Sequence, residues 1–183
     1  MNRKSTIIIT TFLALWAFLF WKFSYPYAMA YQEQYQMFLF DWGYLAQRSA
    51  VPGGLAAYVA EFLTQFYISP TLGAIVIAVL YASILLLMMR LMKGLPYREV
   101  LSLLPVLMLW WLMGDESVMP AYVVSLVIVL WAMVLVPSGW YGRMIYAIVA
   151  FPVLHWICGP LALMSLIYAC VLVYMESRRW IAG

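Results

Sequence analysis

Charge is scarce in this sequence. Lysine, arginine, aspartate and glutamate together make up 9% of its 183 residues, and the net charge is only +3. No long basic stripe interleaved with aromatics occurs, so nothing points to nucleic-acid binding. Cysteine is as sparse. Cys158 and Cys170 both sit in apolar surroundings, whereas a disulfide framework needs several cysteines in a polar, secreted context. They read as two buried thiols acting as small hydrophobes. Histidine occurs once, at position 155. The phosphate-binding P-loop, the zinc-protease helix motif and the nucleophile-elbow serine are all missing.

What fills the chain instead is apolar. Hydrophobic residues make up 68% and aromatics 17%, and the mean hydropathy is +0.96. Globular domains average roughly 45–50% apolar residues. A chain this greasy cannot cover its apolar surface with polar atoms in water, so its solvent is the bilayer, where backbone groups are satisfied within helices. The expected class is all-α: one polytopic transmembrane domain over residues 1–183.

A hydrocarbon core of about 30 Å needs about 20 helical residues, fewer where flanks snorkel. Six spans are expected, at residues 6–21, 71–89, 100–113, 118–136, 144–157 and 161–174. Cys158-Gly159-Pro160 divides the last two, since Gly-Pro is a strong break and the run is too long for one helix. The positive-inside rule orients the set. With a cytoplasmic N-terminus, Arg3, Lys4, Arg90, Lys93, Arg98, Arg143, Arg178 and Arg179 lie inside, while Lys22 and Arg48 lie outside. Glu33, Asp41, Glu61, Asp115 and Glu116 fall outside; Glu99 and Glu176 fall inside. The expected location is a bacterial inner membrane, with both termini cytoplasmic. Residues 1–30 also resemble a signal peptide, with Ala28-Met29-Ala30 as its cleavage site.

Small residues at four-residue spacing, Ala74, Ala78 and Ala82, then Ser165 and Ala169, predict close helix approach in lipid. Trp21, Trp110, Trp111, Trp140 and Trp156 lie near span ends, as an interfacial belt requires.

The one long outer connection, residues 23–70, is where polar chemistry concentrates. On a helical wheel, Tyr31–Arg48 gathers Tyr31, Tyr35, Phe38, Leu39, Trp42 and Leu45 on one side. The expectation is an amphipathic interfacial helix. Val51-Pro52-Gly53-Gly54 then turns the chain. Leu55–Ser69 reads as a second amphipathic helix, with Tyr58, Glu61 and Gln65 on one side. A full crossing there would strand Glu61 near the midplane, an expensive position, so an interfacial or shallowly re-entrant helix is preferred.

Glu33, Asp41, Glu61, Asp115, Glu116 and His155 share this outer face. Carboxylates gathered at an interface can hold a divalent cation or act as a general base. No resident cofactor is evident, and a divalent cation is the one candidate. Each residue has a plainer reading too. Asp or Ser at a helix start caps free backbone N–H groups. His155, three residues before Cys158, has no evident companions for a four-ligand metal site.

Two resemblances follow. The string EQYQMF…VPGGLAAYVAEFLTQFY resembles the N-terminal part of an uncharacterised family of polytopic membrane proteins from Bacteroidota, chiefly over residues 30–75. The layout of a long first outer loop, an acidic stretch soon after the first span and Asp115-Glu116 in the second outer loop resembles the GT-C superfamily of lipid-linked glycosyltransferases. That resemblance implies that Glu33 or Asp41 is a base toward an acceptor hydroxyl. It implies that Asp115 or Glu116 holds a cation or the donor phosphate's partners, and that the donor is a polyprenyl-phosphate-linked sugar; Glu61 and His155 join them as substrate- or cation-binding candidates by sharing the outer face. The first loop holds no Asp-x-Asp pair. The other expectation is a non-catalytic membrane subunit that binds lipid or another membrane protein through Tyr35, Phe38 and Trp42. A transporter would keep ionisable groups near the midplane, and the spans are nearly free of them.

Overall fold

The computed structural model describes residues 3–115 and 117–182. Those residues are helical almost throughout, with no strand among them. Helix α1 (Arg3–Leu19) widens into a π turn (Phe20–Ser24). Pro26 stands at the first turn of α2 (Pro26–Tyr35), where its missing N–H costs nothing. Helices α3 (Trp42–Ser49) and α4 (Gly54–Thr64) flank the Pro-Gly-Gly turn, and a 3₁₀ turn (Gln65–Ile68) leads to α5 (Pro70–Leu91). Then come α6 (Arg98–Met113), α7 (Ala121–Val134), α8 (Trp140–Cys158), a 3₁₀ turn (Gly159–Ala162) and α9 (Leu163–Ala182).

Among the described residues three stretches are long and apolar enough to cross a membrane: Lys4–Ser24, Pro70–Leu91 and Trp140–Met175. The last folds back on itself. Gly159 has φ +63° with ψ −143°, a conformation side-chain-bearing residues avoid, and α8 and α9 pack against each other. The Arg143 guanidinium, near the start of α8, donates to the Leu172 carbonyl on α9 at 3.0 Å, which only an antiparallel pair permits. Ala121–Val134 is a shorter apolar helix.

Helix α5 is the centre of the bundle, packing along α1, α6 and α7. Ala74 and Ala78 are buried in the same core as Ala17, and Ser165 and Ala169 are buried on α9, so the small residues do lie at close helix contacts. Pro105 and Pro152 sit inside α6 and α8 without ending them.

Contacts between connections fall into two groups. At one end, the Tyr25 hydroxyl donates to Gly114 O at 2.7 Å and Gln32 Nε2 to Val118 O at 3.2 Å. There too the Gly53 N–H donates to Trp156 O at 2.9 Å, and Trp156 Nε1 donates to Ser49 O at 2.8 Å. At the other end, Arg98 Nη2 donates to Thr6 Oγ1 at 3.4 Å.

Three expectations need correction. Tyr31–Arg48 is not one helix: α2 stops at Tyr35, and residues 36–41 are not helical. The Phe38 ring is drawn onto α4, with centroids 4.9 Å from Tyr58 and 5.5 Å from Phe62, and Asp41 starts a fresh helix. Trp21 is not part of an interfacial belt. It is fully buried, edge-on to Phe20 and Tyr25, because the extra residue of a π turn advances the helix face. Both cysteines are free, but Cys170 is exposed while Cys158 is buried.

Candidate functional site

The most polar construction among the described residues is built across the Pro-Gly-Gly turn. Asp41 is the N-cap of α3, and its Oδ2 accepts the Tyr44 N–H at 3.2 Å. This fixes the rotation of α3, so Tyr44 and Arg48, one turn apart, face α4 together. Gly54 lets the two helices close, since a Cβ there would come within 1.7 Å of Arg48 O.

Opposite them stands Glu61, only 8% exposed. Its Oε2 accepts the Tyr44 hydroxyl at 2.6 Å, and its Oε1 takes a short charge-assisted bond from Arg48 Nη2. Arg48 Nε donates to the Tyr44 oxygen at 3.1 Å, and its guanidinium lies over the Tyr44 ring. Met37 O also lies 3.1 Å from that hydroxyl, but one proton serves one acceptor, and the carboxylate is the stronger. Burial, with the Glu61 carboxylate as its partner, pushes the Tyr44 hydroxyl above its ordinary range. Burial works to lower Arg48, but Tyr44 and Glu61 outweigh it and hold the guanidinium more firmly protonated.

The triad lines a cavity of about 390 Å³ with Tyr35, Gln36, Met37, Ala57, Met119 and Ala121. A second, more apolar cavity of about 440 Å³ lies between the 51–54 turn, the start of α7 and the 158–164 turn. Arg48, Ala57 and Ala121 line both. A small third cavity of about 140 Å³, beside Tyr35 and Gln36, includes Gln32. Gln32 is 2% exposed, and its Oε1 has no partner among the described residues.

The remaining residues singled out from sequence are spread over the same end. Glu33 is half-buried on α2 and makes no hydrogen bond or ion pair among the described residues. Asp115 accepts from the Ser117 N–H at 2.9 Å and the Ser117 hydroxyl at 2.7 Å. The bonds to Ser117 hold its carboxyl below the usual range. Glu116 lies outside the described residues. His155 Nδ1 lies 3.2 Å from Gly159 O, so that nitrogen carries the proton. Among the described residues no three His, Cys, Asp or Glu side chains stand together as a metal site would require. Tyr35 and Trp42 are 68% and 84% exposed; Phe38 instead packs inward, and its exposed neighbour is Phe40.

Sequence reading missed Arg48, Tyr44 and Gln32. A signal for the first existed. Arg48 and Glu61 are opposite charges flanking a turn between two helices, a position from which they can meet.

No curated protein and no solved structure matches the chain. A match to a family of unknown function, DUF6057, runs over residues 2–182, and the chain belongs to that family.

Proposed function

We propose that this is an integral protein of a bacterial inner membrane that crosses six times with both termini cytoplasmic, and that its outer end binds a membrane lipid. The observation that carries this reading is the pair of cavities meeting at Arg48: one holds the polar groups of Tyr44, Glu61 and Gln36, and the other is more apolar. An amphiphile has the same division. Its chain fits between the 51–54 turn, α7 and the 158–164 turn. Its headgroup faces Tyr44, Glu61 and the donors of Arg48 not yet spent. Tyr35, Met37, Phe40 and Trp42 are exposed beside this opening, and such aromatics favour the headgroup level of a bilayer.

The contacts between connections support the six-span topology. Gly114, Val118 and Trp156, at connections expected outside, all bond to the 25–54 region, also expected outside, while Thr6 and Arg98, expected inside, touch at the other end.

The test is lipid retention by the purified chain. Replacing Ala57 with Trp fills the wall shared by the two cavities and is expected to abolish a co-purifying lipid. Tyr35→Ala/Phe40→Ala/Trp42→Ala is expected to weaken retention without unfolding the bundle. Full retention in both variants would sink the reading.

A second reading, glycosyl transfer from a polyprenyl-phosphate sugar, draws on Gln32. Its buried, unpartnered oxygen wants a donor, and sugar hydroxyls supply donors. In that reading Glu33 is the first-loop base, since Asp41 is engaged as a helix cap and Asp115 in a turn with Ser117. Glu33→Gln should then abolish a lipid-sugar product while leaving insertion intact. Unchanged product in Glu33→Gln and Asp115→Asn alike would remove it.

A further inference from the structure

The opposite end of the bundle carries a separate cavity, and the geometry points to it as a binding site for the phosphate headgroup of an anionic phospholipid. It is about 480 Å³ in volume and is lined by Thr6, Leu86, Met89, Arg90, Lys93 and Arg98. Three of the described lining residues, Arg90, Lys93 and Arg98, are cationic.

Three observations converge on this ligand class. The first is how the charges are held. Arg98 is already positioned: it donates to Thr6 Oγ1 at 3.4 Å and pairs with Glu99 Oε1 at 3.2 Å. Arg90 and Lys93 are different. Both are exposed, and neither side chain is engaged by another described residue. One placed cation and two available ones therefore share a cavity wall, and among the described residues Glu99 is the carboxylate paired there.

The second is depth. The candidate span Lys4–Ser24 begins beside Thr6, and the candidate span Pro70–Leu91 ends beside Arg90. The cavity thus sits where two apolar helices meet the polar boundary, the level of lipid phosphates. Basic pockets between membrane helices bind anionic headgroups at this level.

The third is the floor. Leu86 and Met89 complete the lining, and Leu86 is 41% exposed on the helix surface. A free inorganic anion has no use for such a floor; an acyl chain descending from a phosphate does.

The experiment uses the full chain in detergent. It is titrated separately with short-chain phosphatidylglycerol, short-chain phosphatidylcholine and inorganic phosphate. Bound equivalents are counted by native mass spectrometry, and the unfolding temperature is followed in parallel. Phosphatidylglycerol is expected to bind at one saturable site and raise the unfolding temperature, with phosphatidylcholine and inorganic phosphate far weaker. A basic residue that faces an anionic headgroup contributes attraction equivalent to about a five-fold change in affinity. Lys93→Gln should therefore weaken phosphatidylglycerol about five-fold, and Arg90→Gln/Lys93→Gln about 25-fold. Lys4→Gln removes the same charge near the same end but outside the cavity lining, and should change affinity less than two-fold.

Equal losses in Lys4→Gln and Lys93→Gln would mean diffuse attraction and overturn the site. Inorganic phosphate binding as tightly as the lipid would overturn the lipid assignment. Folding is checked by the unliganded unfolding temperature, which substitution at exposed Arg90 and Lys93 should leave unchanged.

Discussion

The two ends of this bundle handle charge in opposite ways. At the end built by the 25–69 connection, Glu61 is taken out of water and matched by Arg48 and Tyr44. At the other end, Arg90 and Lys93 are left exposed around a cavity. A carboxylate that has lost its water must find partners within the fold, so the first arrangement fixes how α3, α4 and the loop before them sit. Charges still in water fix nothing structural and stay available to a ligand. The contrast teaches that the end with more acids in its sequence is not the more reactive one by that fact. Two of its carboxylates, Asp41 and Asp115, hold turns, and a third holds two helices together.

The sharpest way to break the contrast is Gly54→Ala. A methyl group there meets the Arg48 carbonyl, so α3 must leave α4 and the triad must open. Destabilisation of about 3 kcal/mol or more is expected, read as a lowered unfolding temperature in detergent. A silent substitution would mean that α3 is not docked.

Next comes Arg48→Ala, which leaves Glu61 buried without its cation. The expected cost is about 2 kcal/mol, below that of a fully buried pair because the Arg48 side chain is 39% exposed. Glu61→Gln keeps an acceptor for Tyr44 and should cost less, about 1 kcal/mol. If Glu61→Gln proved the more damaging of the two, the desolvation argument would fail.

Neutralising the other end should do least to stability. Arg90→Gln/Lys93→Gln is expected to stay within about 0.5 kcal/mol of the parent, checked by chemical denaturation. A large loss would show that these cations brace the fold, and the two ends would no longer differ in kind.

The smallest effect concerns Asp115. Its carboxyl titrates below the ordinary range in the folded chain. The bond to Ser117 is therefore fully present above the ordinary carboxylate pKa of about 4 and is lost as pH falls through the lowered folded value. Protection of the Ser117 amide, its exchange rate taken relative to the intrinsic rate at each pH, should fall only on that acid side. Protection independent of pH would mean that the carboxylate is not the acceptor.

Much of the helical frame was legible because apolar runs and Gly or Pro breaks are local signals. Gly159-Pro160 and Pro52-Gly53-Gly54 end helices where the sequence places the breaks. The split of Tyr31–Arg48 was less legible. A wheel sees only spacing, and aromatics at spacings that suit a helix can equally suit a strap held by distant rings. Phe38 is held by Tyr58 and Phe62, beyond the reach of any window drawn around it. Asp41 ahead of Trp-Gly-Tyr was a readable N-cap, and it competed with the longer pattern. The Arg48–Glu61 pair depends on how tightly two helices close, and that depends on Gly54 having no side chain, a steric fact that composition does not reveal.

The contact between the two turns has a consequence in time. Trp156 Nε1 reaches back 107 residues to Ser49 O, and the Gly53 amide bonds to the Trp156 carbonyl. A ribosome delivers Ser49 long before Trp156 exists. Earlier partners hold Tyr25, Gln32 and Arg48, but the 49–53 turn must wait for its own while α5, α6 and α7 are laid down, and the arrival of α8 latches it. Chains arrested before Trp156 should leave this region open to protease, and chains arrested well after it should not. The last hairpin is thus also the signal that the first connection is finished.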